Sequence, residues 1–144
     1  MEELVKAAKI AFASEFNFYL KTHFFHWNVE GIHFAQFHEL YGNIYQEVFD
    51  SIDPFAEKIR ALDAYAPGSF SRLSMLSLVS DEENIPDAMT MTAELLADSD
   101  KMVKILKMVF DIATAAGEDG FANFLAERMD AHRKHSWMLR SILK

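Results

Sequence analysis

Apolar side chains recur at intervals of three and four residues along most of this chain. The longest uninterrupted run covers residues 33–63, with apolar positions at Phe34, Phe37, Tyr41, Ile44, Val48, Ile52, Phe55, Ile59 and Leu62. Alternating intervals of three and four keep these side chains on one face of an α-helix. Because the pattern persists for about eight turns, it predicts one long amphipathic helix.

The same periodicity predicts three more long helices, over residues 3–28, 86–116 and 119 onward. A loop at 66–69 and a short apolar piece at 73–79 lie in the long central connection. No stretch alternates apolar and polar residues as a half-buried strand would. The sequence therefore predicts an all-α protein, a four-helix bundle with a short extra helix in its central connection, and a single domain covering residues 1–144.

Glycine and proline residues mark the predicted helix ends. Gly31 follows the first helix and is expected to end it. Pro86 suits the first position of the third helix, with Asp87 in the first turn, where an acidic side chain is favourable. Gly117 is expected to close the third helix as a C-cap residue.

Four side chains form a candidate metal site: His26, His38, Asp53 and Glu57. The chain has no cysteine, and imidazole with carboxylate in the absence of thiolate suits iron, manganese or zinc. Asp53 and Glu57 are four residues apart and share a helix face. His26 ends the first predicted helix and His38 begins the second, so the two histidines can converge in a helical hairpin.

Helix geometry prevents one chain from bringing all four side chains to one ion. A rise of 1.5 Å per residue separates His38 from Asp53 by about 22 Å, whereas metal ligands lie about 2.0–2.2 Å from the ion. An antiparallel copy of the chain across a two-fold axis removes this conflict. We therefore expect His26 and His38 from one subunit to meet Asp53 and Glu57 from the other, giving two equivalent sites per dimer.

Each of these residues also has a simpler interpretation. Asp53 and Pro54 together could begin a new helix, as N-cap and first-turn residue. The apolar stripe nevertheless continues through this point without a change of phase, which favours a continuous but kinked helix. Glu57 could be an ordinary solvated charge beside Lys58, and a lone His38 on a partly apolar face is commonly a hydrogen-bonded or surface histidine.

The remaining histidines are weaker candidates. His23 and His33 have no carboxylate at a useful spacing and are interpreted as surface or pore residues. His132 and His135, three residues apart, could hold a metal weakly, but the basic residues between them disfavour it. Glu30 and His33 match a Glu-x-x-His pattern, yet they fall on a predicted turn rather than on a helix.

Charge and composition exclude other classes of function. The net charge is −8, which disfavours binding to nucleic acid, because that binding needs Lys and Arg to neutralise phosphates. The first residues lack the basic and apolar regions of a secretory signal, and no apolar run reaches the ~20 residues that cross a bilayer. The absence of cysteine fits a cytoplasmic protein.

Several continuous strings resemble the Dps family of mini-ferritins. They are residues 20–31, which contain His23-Phe24-Phe25-His26-Trp27-Asn28, together with residues 33–34, 37–40, 51–53, 56–62, 126–128 and 134–141. The similarity covers nearly the whole chain, and the block that runs from His-Trp-Asn to Asp-x-x-x-Glu is its most specific part.

The resemblance implies a hollow shell of twelve subunits with ferroxidase centres at its two-fold interfaces. Matched by position, the iron ligands are His26 and His38 of one subunit with Asp53 and Glu57 of the other. Fe(II) is the expected metal and substrate, hydrogen peroxide or dioxygen the oxidant, and a ferric mineral the stored product, so that oxidative damage is limited. Trp27 could intercept stray oxidising equivalents, although packing is its simpler role.

Two departures from the family pattern qualify these expectations. Four residues after His38 the family commonly has an acidic residue, and this chain has Gly42. The second iron position is therefore expected to be weaker, or completed by water or by Glu39, and a shell with impaired ferroxidase activity is an alternative. A Lys-rich N-terminal tail is also missing, so DNA binding in the manner of a nucleoid protein is the less favoured alternative.

Glu118 and Asp119, at the start of the last helix, are candidates for iron-entry pores at the three-fold axes. Both acidic residues would equally favour a helix N-terminus, and the sequence leaves these two interpretations open.

Overall fold

The computed structural model describes residues 1–144 as five helices and no strand. The helices are α1 (Glu2–Asn28), α2 (Phe34–Ala61), α3 (Phe70–Leu76), α4 (Ala88–Ala115) and α5 (Asp119–Leu143). The predicted all-α bundle, with a short helix in the long connection between α2 and α4, is confirmed. None of the helices is long and apolar enough to cross a membrane.

The four long helices form two hairpins that enclose one apolar core. α1 packs against α2, α4 packs against α5, and α1 joins the hairpins by packing against α4. The short helix α3 lies against α1. The largest fully buried side chains come from all four long helices and include Phe18, Phe25, Tyr41, Phe55, Met91, Leu106 and Leu125.

Pro54 lies inside α2, and the helix is continuous through it. The alternative, in which Asp53 caps a new helix, is therefore wrong. The unbroken apolar stripe explains this outcome, because Val48, Phe55 and Ile59 are all fully buried on the same face. Their burial offsets the cost of about 3 kcal/mol of an interior proline.

The boundaries of α4 differ slightly from the expectation. Pro86 is not the first helical residue, because Asp87 is the N-cap and its Oδ1 accepts a hydrogen bond from the Thr90 amide at 2.8 Å. At the other end Gly117 has a φ of +75°, and the amide of Glu118 donates to the carbonyl of Ala113 at 2.9 Å. This left-handed glycine after the last turn is the expected C-cap arrangement.

Candidate metal centre and the charged core

His26 and His38 lie face to face where α1 and α2 approach each other. Their rings are nearly parallel, with centroids 3.7 Å apart and an interplanar angle of 17°. Nδ1 of His26 donates to the carbonyl oxygen of His38 at 2.6 Å, and Nδ1 of His38 donates to the carbonyl oxygen of His26 at 2.7 Å. The predicted convergence of these two residues is confirmed, and the contact is reciprocal.

These two hydrogen bonds determine which ring nitrogen is free. A carbonyl oxygen can only accept, so Nδ1 carries the proton in both rings. In the neutral imidazole the lone pair is then on Nε2, and neither Nε2 has a hydrogen-bond partner within the chain. A backbone carbonyl that holds Nδ1–H is the usual support of a metal-binding histidine. Both rings could therefore bind a metal ion through Nε2.

Gly42 lies next to the His26 ring, where a larger residue would come into close contact with it. A Cβ atom built on Gly42 would lie 3.0 Å from Cε1 and 3.1 Å from Nδ1 of His26. Contacts of this length are closer than those that Cβ atoms normally make, so a side chain here requires the imidazole to move by a few tenths of an ångström. Glycine at this position therefore has two consequences. It removes the acidic side chain expected here, and it leaves room for the ring of His26, a candidate ligand.

Asp53 and Glu57 are exposed on the same continuous helix, far from the histidine pair. Fifteen residues of helix separate His38 from Asp53, a distance of about 22 Å. No group of three or more His, Asp or Glu side chains within the single chain is arranged to hold a metal ion. The single chain therefore does not bring the four residues together, and their joining across an interface stays a prediction.

An aromatic face, made by Tyr19, His23, Trp27, Tyr45 and Phe49, adjoins His26 through His23 and Tyr45. His23 stacks on Tyr45 at 3.8 Å and 8°, and its ring is 4.0 Å from that of Trp27. Tyr19 and His23 share a hydrogen bond of 3.0 Å between the hydroxyl and Nδ1. Trp27 is 57% exposed and Phe49 48%, so this face is a partly uncovered apolar surface beside the candidate ligands.

The residues Glu118 and Asp119 stand at the start of α5. Glu118 is the N-cap residue, and its side chain makes no capping hydrogen bond. Asp119 is exposed in the first turn, where its charge is favourable. Their role in a pore remains a prediction, and their place at the helix N-terminus agrees with the alternative interpretation.

A charged network inside the bundle was missed by the sequence analysis. The buried Arg128 donates from Nε to Glu15 at 2.9 Å and from Nη1 and Nη2 to Glu47 at 2.5 and 3.2 Å. His132 pairs with Glu15, and Nε2 of His135 donates to Glu47 at 2.8 Å. The basic surroundings expected for these two histidines are wrong, because both side chains point into the core toward carboxylates.

The network keeps both carboxyl groups ionised. Burial alone raises the pKa of Glu15, but attraction from His132 and Arg128 outweighs it and brings the pKa to about 2. The pKa of Glu47 also falls to about 2, because hydrogen bonds from His135 and Arg128 outweigh its burial. Burial lowers the pKa of His135 below its ordinary value, and its Nδ1 is buried without a partner.

The periodicity of α5 contained a signal for this network. Its buried positions include Phe121, Leu125, Arg128, His132, His135 and Leu139, which follow the helical intervals of three and four. The same holds for Glu15 on α1, which lies in phase with the buried Ala11, Phe18 and Thr22. Charged side chains in the apolar phase of a helix are expected to be buried and paired.

Substitution of Gly42 tests the contact with His26. We expect Gly42→Ala to weaken binding of Co(II), used as a redox-stable probe, by about 10–100-fold, the range seen when the support of a metal ligand is lost. Gly42→Asp supplies the missing carboxylate but displaces the imidazole, so it should also lower iron oxidation. Calorimetric titration and stopped-flow absorbance measure the two effects.

The stability of the variants separates this explanation from general damage. Alanine favours a helix interior over glycine by about 1 kcal/mol, so a loss of binding in Gly42→Ala with an unreduced melting temperature would locate the effect at His26. Gly120→Ala is the matched control, because a Cβ there meets nothing within 4 Å. Faster oxidation by Gly42→Asp would contradict the steric explanation.

Comparison with known families agrees with this architecture. The family model for the ferritin-like domain matches residues 6–144. An uncharacterised low-temperature-induced protein of Nostoc sp. is 32% identical over 127 residues, which are 87% of this chain and 71% of that protein. A DNA protection during starvation protein of Brevibacillus brevis is 28% identical over 126 residues, covering 88% of this chain and 85% of the relative.

Solved structures lead to the same family. Dps from Thermosynechococcus elongatus superposes with a TM-score of 0.96 at 26% identity, covering 99% of this chain and 91% of the other. Dps from Staphylococcus aureus gives a TM-score of 0.95 at 28% identity, covering 100% and 97%. The helix order, the match over nearly the full chain and these superpositions place the chain in the ferritin-like superfamily and, within it, in the Dps family.

Proposed function

We propose that this chain assembles into a hollow shell of twelve copies that oxidises ferrous iron at its two-fold interfaces and stores the ferric product. The observation that carries the proposal is the reciprocal pairing of His26 with His38. Two imidazoles held through Nδ1 present two unpartnered Nε2 atoms at one place. Nothing in the packing of a single chain uses these nitrogens, whereas an iron ion would.

The remaining ligands come from the second copy in this proposal. Asp53 and Glu57 lie one turn apart on α2 and are both exposed. Paired antiparallel across a two-fold axis, they reach the histidines of the other subunit, so that each dimer holds two equivalent sites. Two carboxylates balance the charge of a divalent ion, and the imidazoles complete a set of oxygen and nitrogen ligands that suits iron.

The aromatic face supports an interface at this position. Trp27 and Phe49 belong to the aromatic face that reaches His26 through His23 and Tyr45, and both are about half exposed in the single chain. Aromatic side chains are enriched in the cores of interfaces between subunits. A second copy of the chain would cover them and would exclude bulk water from the reacting ions.

Oxidation of iron at this site requires only that Fe(II) is bound and that an oxidant reaches it. Two Fe(II) ions each give one electron to hydrogen peroxide, the O–O bond breaks, and two protons complete two water molecules. The four side chains of the site bind and orient the iron, and the neutral imidazoles do so without adding positive charge. Ferric ions then hydrolyse and accumulate as mineral, which removes the iron that would otherwise generate hydroxyl radicals.

An anaerobic titration with Fe(II), followed by hydrogen peroxide, tests the proposal. Wild-type protein should form ferric product far faster than buffer and consume one peroxide for every two ferrous ions. His26→Ala/His38→Ala should not differ from buffer, whereas the control His33→Ala, which alters an exposed histidine, should behave as wild type. Absorbance of the ferric product reports the rate.

The size of the assembly is measured on the same sample by light scattering. Twelve chains of 16.5 kDa correspond to a particle of about 200 kDa. Wild-type oxidation no faster than buffer in a particle of this size would favour the alternative of a shell without ferroxidase activity. A dimer or monomer would contradict the proposed shell.

DNA binding is not part of the proposed function. The chain has 14 Lys and Arg against 22 Asp and Glu, and this net negative charge disfavours electrostatic binding to phosphate backbones. The name of the relative from Brevibacillus brevis refers to DNA protection. Removal of iron and peroxide from solution would protect DNA without contact.

A further inference from the structure

All four long helices contribute side chains to one level of the bundle core. Glu15 comes from α1, Glu47 from α2, and His132 and His135 from α5. The Glu47 side chain is 40% exposed, whereas those of the other three residues are buried. α4 adds Ser99, whose hydroxyl donates to the carbonyl of His132 at 2.9 Å. Arg128 lies among these groups and supplies the cation that both carboxylates share.

The groups around Arg128 have the composition of a metal site rather than that of an ordinary ion pair. Carboxylates from two helices and two imidazoles spaced i, i+3 on another helix resemble the donor sets that hold metals inside helical bundles. Each carboxylate also accepts from one imidazole, Glu15 from His132 and Glu47 from His135. Such carboxylate–histidine pairs are the common surroundings of bound transition metals.

One buried atom in this cluster has no role in the ion pairs. Nε2 of His135 donates to Glu47, which leaves the lone pair of Nδ1 free, and this atom is buried without any partner. A buried acceptor without a donor is costly. The cluster therefore has a donor atom for a metal that the guanidinium does not use.

We propose that Arg128 is a built-in substitute for a metal ion, and that Glu15, Glu47, His132 and His135 form a latent divalent-cation site that the guanidinium keeps closed. The guanidinium is planar and permanently charged, and it binds two carboxylates at once, as a bridging ion would. It lies between the carboxylates and pairs with both of them. Arg128 thereby directs metal binding away from the core.

The proposal predicts that removal of the Arg128 side chain opens the site. The experiment uses Arg128→Ala in a His38→Ala/Asp53→Ala background, so that the proposed interfacial site cannot contribute and the outcome is independent of it. We expect one additional Co(II) per chain by equilibrium dialysis and metal analysis, with new visible absorption from nitrogen and oxygen ligation. Co(II) should also raise the melting temperature of this variant, because it binds only the folded state.

Two further variants identify the ligands. Arg128→Met fills the space with an apolar side chain of similar length and should bind no additional Co(II). Glu15→Gln combined with Arg128→Ala removes one carboxylate charge and should abolish the extra binding and the gain in melting temperature. Circular dichroism with and without Co(II) reports helix content in every case.

Each outcome decides the proposal. Arg128→Ala that unfolds without metal and refolds with Co(II) supports it as strongly as binding to a folded variant. A folded Arg128→Ala that binds no more Co(II) than its parent overturns it, as does a variant that stays unfolded when Co(II) is added. Extra binding that survives Glu15→Gln also overturns it, because the ion would then lie elsewhere.

Discussion

Chains that carry His38→Ala and chains that carry Asp53→Ala should each be inactive in iron oxidation, and their mixture should recover about a quarter of the wild-type rate. The recovery follows from a site shared across a two-fold axis. In a mixed dimer one site receives intact histidines from the Asp53→Ala chain and intact carboxylates from the His38→Ala chain. The other site receives both defects.

The expected rate of a quarter of the wild-type value follows from random pairing of the two kinds of chain. When equal amounts of the two variants are unfolded together and refolded, about half of the dimers are mixed, and each mixed dimer has one intact site of two. The rate is measured by absorbance of the ferric product after peroxide is added to Fe(II)-loaded protein.

The control for this experiment is a mixture of wild-type chains with the double variant His38→Ala/Asp53→Ala. Each mixed dimer of that pair has no complete site, so only wild-type dimers are active and the rate is again about a quarter of the wild-type rate. The two single variants refolded separately and then combined should stay inactive. Activity of either single variant alone would contradict a shared site, as would a co-refolded mixture no faster than its components.

Replacement of Arg128 by methionine should lower the free energy of unfolding by about 3–5 kcal/mol at neutral pH, the cost of breaking a buried ion pair. The variant keeps the side-chain volume but leaves Glu15 and Glu47 without their shared cation. Urea unfolding followed by circular dichroism, at one fixed protein concentration, measures the difference. Lys107→Met is the control, because its pair with Asp111 is exposed and should be worth no more than about 1 kcal/mol.

The pH dependence of this difference tests the electrostatic cause. In the wild type the folded-state pKa values of Glu15 and Glu47 are both about 2, below the ordinary value of 4.5. Their stabilisation is therefore complete above pH 4.5 and is lost as pH falls from there through about 2. The lowered pKa of His135 has the same sign, because the unfolded chain takes up a proton below its ordinary value of 6.5 before the folded chain does.

Arg128→Met should respond to acid in a different way. Without the guanidinium, burial favours the neutral form of both carboxyl groups, so protonation relieves the variant while it weakens the wild type. The gap in unfolding free energy between the two proteins should shrink as pH falls from 7 to 3. A gap that does not change with pH would mean that lost packing, rather than charge, causes the destabilisation.

Most of the fold follows from local properties that the sequence displays. The run of apolar residues through Val48, Phe55 and Ile59 predicts a continuous α2 despite Pro54, because burial of that stripe outweighs the local defect. The predicted start of α4 is less accurate, because Pro86 and Asp87 both suit a helix N-terminus. The hydrogen bond from the backbone amide of Thr90 to the carboxylate of Asp87 makes Asp87 the N-cap.

For the candidate metal site too, some features follow from the sequence and others depend on the tertiary structure. The identity of His26, His38, Asp53 and Glu57 as candidates, and the distance that separates them along α2, follow from residue type and helix rise. The role of Gly42 does not follow from either. A Cβ atom at this position would lie 3.0 Å from the His26 ring, and this closeness depends on how α1 and α2 pack.

The sequence by itself determined the helices, their order, the candidate ligands and the conclusion that one chain cannot complete the proposed site, because helix period and rise act between neighbouring residues. The tertiary structure alone decided which distant side chains meet. It paired Arg128 with Glu15 across 113 positions of the chain. It also placed the Nδ1 of His26 against the backbone carbonyl of His38, and the Nδ1 of His38 against the backbone carbonyl of His26. Such contacts depend on how helices pack, and a repeat of three and four residues carries no information about the partner of a buried charge.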